Sequence, residues 1–246
     1  MPPSRLRFIL CSIPFFGLIS CSTPDTAPTA KFYPAETVSR EETIAIAEAY
    51  RSHLWTPEPR HIFHGNDRQG IRIDTPDEMH RPTDGSRPGW WIAGATNIGM
   101  PYKWGGFDTP QSFDQGLADG KYAGDLYSEE KRRQLYSAVS DDCVGIDCSG
   151  FISRCWRLDR PYSTRQLPQL CDPLASFQDL KKGDIANKVN AHVLLFEYWT
   201  NRQRTHFVAY ETGSPPTWKV VRHTIEVEYI KQLGYTPYRY KNIRED

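Results

Sequence analysis

Asp147-Cys148-Ser149-Gly150-Phe151-Ile152 opens a helix that the pattern carries through Trp156, and the fold is read outward from this run. Phe151 and Ile152 anchor the helix in a core, and Gly150 lets it approach a neighbour closely. Downstream the sequence turns to strands in quick succession. Lys181-Lys182-Gly183-Asp184-Ile185 reads as a turn feeding a strand, and strands are predicted over 192–199, 205–212, 219–223 and 235–240. Asn201-Arg202-Gln203 and Gly213-Ser214-Pro215-Pro216 are the turns between them. Helices first and a strand meander later give an α+β class, with N-terminal helices and the Cys148 helix packed on an antiparallel sheet.

Upstream of the run, Ser39 and Glu42 have the spacing of a capping box for a helix over 40–54, with Ile46, Ala49, Tyr50, His53 and Leu54 on one stripe. His53 is read as a packed histidine. Residues 56–88 read as loop. His61 and His64, three apart, could share a helix face, but no carboxylate stands at a matching offset, so no metal is expected. A short helix is predicted over 90–98, stopped by Gly99 and Pro101. Tyr102-Lys103-Trp104-Gly105-Gly106 follows, then an insert over 107–146. Ser128 starts a helix in that insert, and Glu129 to Arg133 form its solvated face.

A length of 246 residues allows one catalytic domain with a modest extension. The formal charge is zero and no Lys/Arg run forms a basic arm, so nucleic acid is not an expected partner. Arg5 and Arg7 precede an apolar stretch from Phe8 to Ile19, too short to span a bilayer and of the length of a secretory signal. Leu18-Ile19-Ser20-Cys21 resembles the bacterial lipobox, which implies cleavage before Cys21 and a lipid on its thiol. The expected organisation is a signal peptide over 1–20, a tether over 21–37, a helical and loop extension over 38–94 and a catalytic domain over 95–246. It places the protein at the cell envelope, on a membrane through Cys21. In that oxidising compartment Cys143, Cys155 and Cys171 can supply one disulfide and one spare thiol.

A thiol is mostly protonated near neutrality, and the free N–H groups and dipole of a helix N-terminus favour its thiolate. Those N–H groups can also donate to the oxyanion of a tetrahedral intermediate. Cys148 is therefore the candidate nucleophile. His192, at the mouth of the apolar strand His192-Val193-Leu194-Leu195-Phe196, is the candidate base. A third group must orient the imidazole. In the next strand His206, Val208 and Tyr210 point one way and Phe207, Ala209 and Glu211 the other. Glu211 is favoured as that group, with His206 as its rival.

At these residues the sequence resembles the NlpC-type papain-like cell-wall peptidases. The carrying segments are Gly99 to Gly106, Asp147 to Phe151, Gly183-Asp184 and His192-Val193. The resemblance implies a circularly permuted papain-like core in which Cys148 attacks, His192 is the base and a polar residue is third. It also implies a Tyr102 hydroxyl close to the thiol, and Asp147 and Ser149 near a pocket for the substrate's free amine. Trp104 joins them as a candidate substrate-binding residue. The implied substrate is a peptidoglycan stem peptide, cut between D-glutamate and a diamino acid, with no cofactor and no metal. The chain differs from the family in its forty-residue insert and in carrying Glu211 where a histidine is usual. An acyltransferase or amidase on the same core, and a non-catalytic wall-binding lipoprotein, are the alternative expectations.

Overall fold

The computed structural model describes residues 37–80, 89–213 and 218–245. The expected signal peptide, Cys21 and all of the tether but residue 37 lie outside them, as does most of the turn at 213–216. A six-stranded sheet organises the chain: β1 (Cys171–Pro173), β2 (Ile185–Lys188), β3 (His192–Trp199), β4 (His206–Thr212), β5 (Val220–Glu226) and β6 (Thr236–Tyr240). Its order is β5-β4-β3-β2-β6-β1, with every neighbour antiparallel. Five α-helices accompany it: α1 (Arg40–Ser52), α2 (Pro110–Ala118), α3 (Glu129–Gln134), α4 (Cys148–Cys155) and α5 (Val227–Gln232). The class is α+β. Among the described residues no helix is long and apolar enough to cross a membrane.

Alternation along β3 shows why the sheet is central. Val193 and Leu195 enter the main core with Tyr50, Phe151, Ile152 and Trp156, while Leu194 and Phe196 enter a second core with Phe207, Ile225 and Ile230. Buried on both faces, this strand is apolar from Val193 to Phe196. Phe151 and Ile152 of α4 are fully buried, each contributing roughly 1.5–3 kcal/mol of burial. Trp156, just past α4, stacks on Tyr240 of β6 with centroids 4.7 Å apart.

Ser39 caps α1 by accepting from the Glu42 N–H, but Glu42 turns away to Arg157, so the box is one-sided. The buried face of α1 is Arg40, Thr43, Ala47 and Tyr50. That corrects the expected stripe, since Ala49 and Leu54 are exposed. The stripe rotates because Arg40 is drawn inward by an ion pair to fully buried Asp184, 3.0 Å away. Asp184 also receives Arg239 at 2.7 Å and the Lys181 N–H at 2.8 Å. The Gly183-Asp184 turn thus locks α1, β2 and β6 together.

Several other expectations are corrected. Of the two helices expected between residues 38 and 98, only the first is present among the described residues, and 64–66 and 72–74 form a hairpin within the supposed loop. No helix forms over 90–98. The Asn97 side chain closes a turn onto the Ile92 and Ala95 backbone, Gly94 takes a φ of 78°, and Asn97–Ile98 pair with Leu54–Trp55. In α3 the charge run is not wholly solvated, because Lys131 is buried against Asp125. Cys143, Cys148, Cys155 and Cys171 are all free, the three other than Cys148 buried, so the expected disulfide is not formed.

Candidate active site

Cys148 is the first residue of α4, and Asp147 is the N-cap, its carboxylate accepting the Gly150 N–H at 2.5 Å and the Ser149 hydroxyl at 3.0 Å. A Cβ on Gly150 would lie 2.2 Å from the Gly106 carbonyl oxygen, and one on Gly106 would lie 2.5 Å from that of Gly145. The Asp147 N–H donates to the same Gly106 oxygen at 3.1 Å. Backbone therefore meets backbone at the nucleophile, which explains why Trp104-Gly105-Gly106 and Asp147-Cys148-Ser149-Gly150 go together. As the first helical residue, Cys148 has an N–H with no carbonyl four residues back inside the helix, free to serve an incoming oxyanion.

His192 opens β3, with the Cys148 thiol beside its ring, and the ring is hydrogen-bonded to Glu211, with Nε2 2.5 Å from Oε2. The register explains the second contact. Leu195 pairs with Tyr210, which sets Leu194 opposite Glu211, and His192, two residues beyond Leu194 on the same face, falls diagonally across from Glu211. The alternation in β4 runs as expected, Tyr210 reaching Glu48 of α1 while Glu211 turns to His192. His206 stands at the far end of β4 beside the Thr205 hydroxyl, and the structure does not bring it to His192. Of the two candidates for the third position, Glu211 is the one in contact.

The carboxylate has a second imidazole partner that the sequence reading missed. His223 of β5 places Nε2 2.5 Å from Glu211 Oε1, so His192, Glu211 and His223 form a row across three adjacent strands. His223 opposes Ala209, two residues from Glu211 on the same face, and only the strand register could have revealed this. Burial pushes the Glu211 carboxyl up, but the two imidazoles outweigh it and hold it well below the usual carboxylate range. Burial likewise pulls His192 down, yet its contacts with Cys148 and Glu211 raise it well above the ordinary imidazole range. The arrangement favours an imidazolium paired with the Glu211 carboxylate.

Around this row the remaining expected residues take definite places. Tyr102 is buried with its ring against Gly213, where a Cβ would lie 2.1 Å from the ring. Burial, then the charges of Cys148 and Asp147, holds its hydroxyl protonated well above the usual phenol range, so it is a donor beside the thiol. Burial raises the Asp147 carboxyl, and Ser149 is buried at its side. Trp104 is half-buried, with Nε1 donating to the Leu135 carbonyl at 3.2 Å and the ring tilted on Tyr127. The insert thus forms a wall beside Trp104. Its Arg132 also bonds to the carbonyl of Asn190, two residues before His192. Tyr235, likewise missed, lies within reach of the Glu211 and Cys148 charges, which with burial raise its hydroxyl.

Comparison with protein-family models, with curated proteins and with solved structures finds no match for this chain. Chemically, the set comprises a helix-start thiol, an imidazole beside it, a buried carboxylate behind the imidazole and a neutral phenol, which are the parts nucleophilic acyl chemistry requires.

Proposed function

We propose that the chain is a lipid-anchored cysteine hydrolase of the NlpC type, with a permuted papain-like core, that cleaves amide bonds in peptidoglycan stem peptides. The observation that carries this reading is the His192–Glu211 pair beside a thiol set at the start of α4. In the proposed reaction the thiolate adds to an amide carbonyl, forming a C–S bond, and the oxyanion is held by the Cys148 N–H and the Tyr102 hydroxyl. The His192 imidazolium gives its proton to the amine as the C–N bond breaks. A water then gives a proton to His192 and adds to the thioester, and the thiol leaves with that proton. Asp147 and Ser149 lie where a free amine of the substrate would be met, and an ammonium there would restore the carboxylate that burial disfavours. Trp104 and the insert wall would limit the substrate's length on that side.

The scissile bond proposed is D-glutamyl–diamino acid. The test is digestion of purified peptidoglycan with mass spectrometry of the released peptides, using wild type and Cys148→Ala. Release by wild type and none by the variant is expected. Equal release by both would refute the thiol mechanism, and products carrying an added amine would identify a transferase.

A further inference from the structure

Away from the thiol, the hairpin formed by His64–Asn66 and Arg72–Asp74 sets His64 directly opposite Asp74. The turn that follows brings Asp77 and His80 back to the same end, at offsets of three and six from Asp74. One ligand atom each from His64, Asp74 and His80 lies within 4.8 Å of the other two. We propose that these three side chains bind a divalent transition-metal cation, with Zn2+ the best match to two imidazoles and a carboxylate and water completing the set. Ligand atoms around a tetrahedral zinc, with bonds of about 2.0–2.2 Å, stand roughly 3.3–3.6 Å apart. Closing the gap takes side-chain shifts of about an ångström.

The surroundings are those a metal-ligating histidine needs. Fully buried Asp77 faces His64 Nε2 at 2.8 Å, accepts the Thr75 hydroxyl at 2.8 Å and accepts the Met79 N–H at 3.0 Å. A carboxylate held in this way fixes the ring and the tautomer, directing the other nitrogen to the metal. That nitrogen, Nδ1, faces Asp74 Oδ1 at 3.2 Å, where a cation would take the place of the shared proton. Arg72 holds the Asp74 carboxylate by two bonds of 2.8 and 2.6 Å, and each oxygen retains a lone pair for a metal. The His80 ring stacks on that of His64 with centroids 5.7 Å apart, and the His80 backbone N–H donates to the Asp77 carbonyl at 3.0 Å, closing the turn.

The site also has a route to the rest of the molecule. The Asp74 N–H donates to Asp125 Oδ1 at 3.1 Å, and the Asp125 N–H donates to the Tyr102 carbonyl at 2.9 Å. A bound cation would therefore stiffen the hairpin that braces the segment carrying Tyr102.

The experiment uses the full chain, stripped with a chelator and titrated with Zn2+ against a chromophoric competitor, with thermal unfolding followed in parallel. One equivalent should bind and raise Tm, while Mg2+ should do neither. His80→Gln and Asp74→Asn, both half-buried at the hairpin end, should each weaken binding at least about tenfold, and each variant's metal-free Tm is the baseline against which its response to Zn2+ is read. Cys148→Ser should bind as wild type does. Absence of stoichiometric binding, an equal response to Mg2+, undiminished binding in both hairpin variants, or loss of binding in Cys148→Ser would each overturn the proposal.

Discussion

Replacing Glu211 by glutamine should slow Cys148 without unfolding the chain, because the carboxylate accepts from two imidazoles at once. Glutamine is nearly isosteric, but its amide offers one acceptor oxygen and one donor nitrogen, so it satisfies at most one of the two rings in their present protonation. A hydrogen bond to a buried charged group is worth about 1.5–3 kcal/mol net. The His192 and Glu211 side chains are only 12% and 7% exposed, so solvent screens little of this. At about 1.4 kcal/mol per factor of ten, losing the support of the imidazolium lowers thiol reactivity roughly ten- to 150-fold. The assay is the rate of Cys148 alkylation by iodoacetamide between pH 5 and 9, with the label located by mass spectrometry. It requires no substrate, and Cys143, Cys155 and Cys171 are buried from the reagent. Glu211→Gln should react slowly near pH 6 and recover as hydroxide takes over the base's work. His206→Ala should follow the wild-type profile. Superposition of the Glu211→Gln and wild-type profiles would refute the role given to the carboxylate.

The same pair should leave a signature in stability against pH. Glu211, lowered in the native state, contributes above its ordinary value of 4.5 and is lost as pH falls through its depressed value. His192, raised, contributes below its ordinary 6.5 and is lost as pH rises through its elevated value. Urea midpoints should therefore show the largest gap between wild type and Glu211→Gln from about pH 4.5 to 6.5, narrowing on both sides. Gly150→Ala forces a methyl to within 2.2 Å of the Gly106 oxygen, and should cost about 1–3 kcal/mol, a Tm fall of roughly 2–10 °C, together with slower alkylation of Cys148. Lys131→Met strands the fully buried Asp125 carboxylate and should cost about 3–5 kcal/mol in urea unfolding. Adding Asp125→Asn should recover part of that loss.

What the sequence made legible was what short-range patterns encode. The apolar strand at 192–199, the helix starts at Ser39, Ser128 and Asp147, and the strand meander all follow from local periodicity and capping, and they appear within a residue or two, except that the strand expected over 219–223 runs on to Glu226. The failures share a cause. Residues 90–98 have helical-looking spacing, but the Asn97 side chain substitutes for helix hydrogen bonds by closing its own turn. Lys131 reads as one of a run of surface charges until a carboxylate six residues upstream is folded under it. Helix α2 went unnoticed although Thr109 caps it and Pro110 starts it, because a glycine interrupts its middle. At the site, Glu211 could be chosen from strand alternation alone. His223 needed the register between β4 and β5, which no single sequence states.

The meeting of Gly106, Gly145 and Gly150 has a consequence for how the chain can change. The nucleophile is seated by peptide groups touching peptide groups, whose geometry is fixed covalently, and not by side chains that choose among rotamers. Substitutions deeper in the core, such as Ile152→Val, would then lower stability by about 0.5–1.5 kcal/mol while leaving the thiol where it is. Reactivity and robustness are thereby placed on separate residues. The interior can drift or be redesigned for stability, so long as three positions keep no side chain at all.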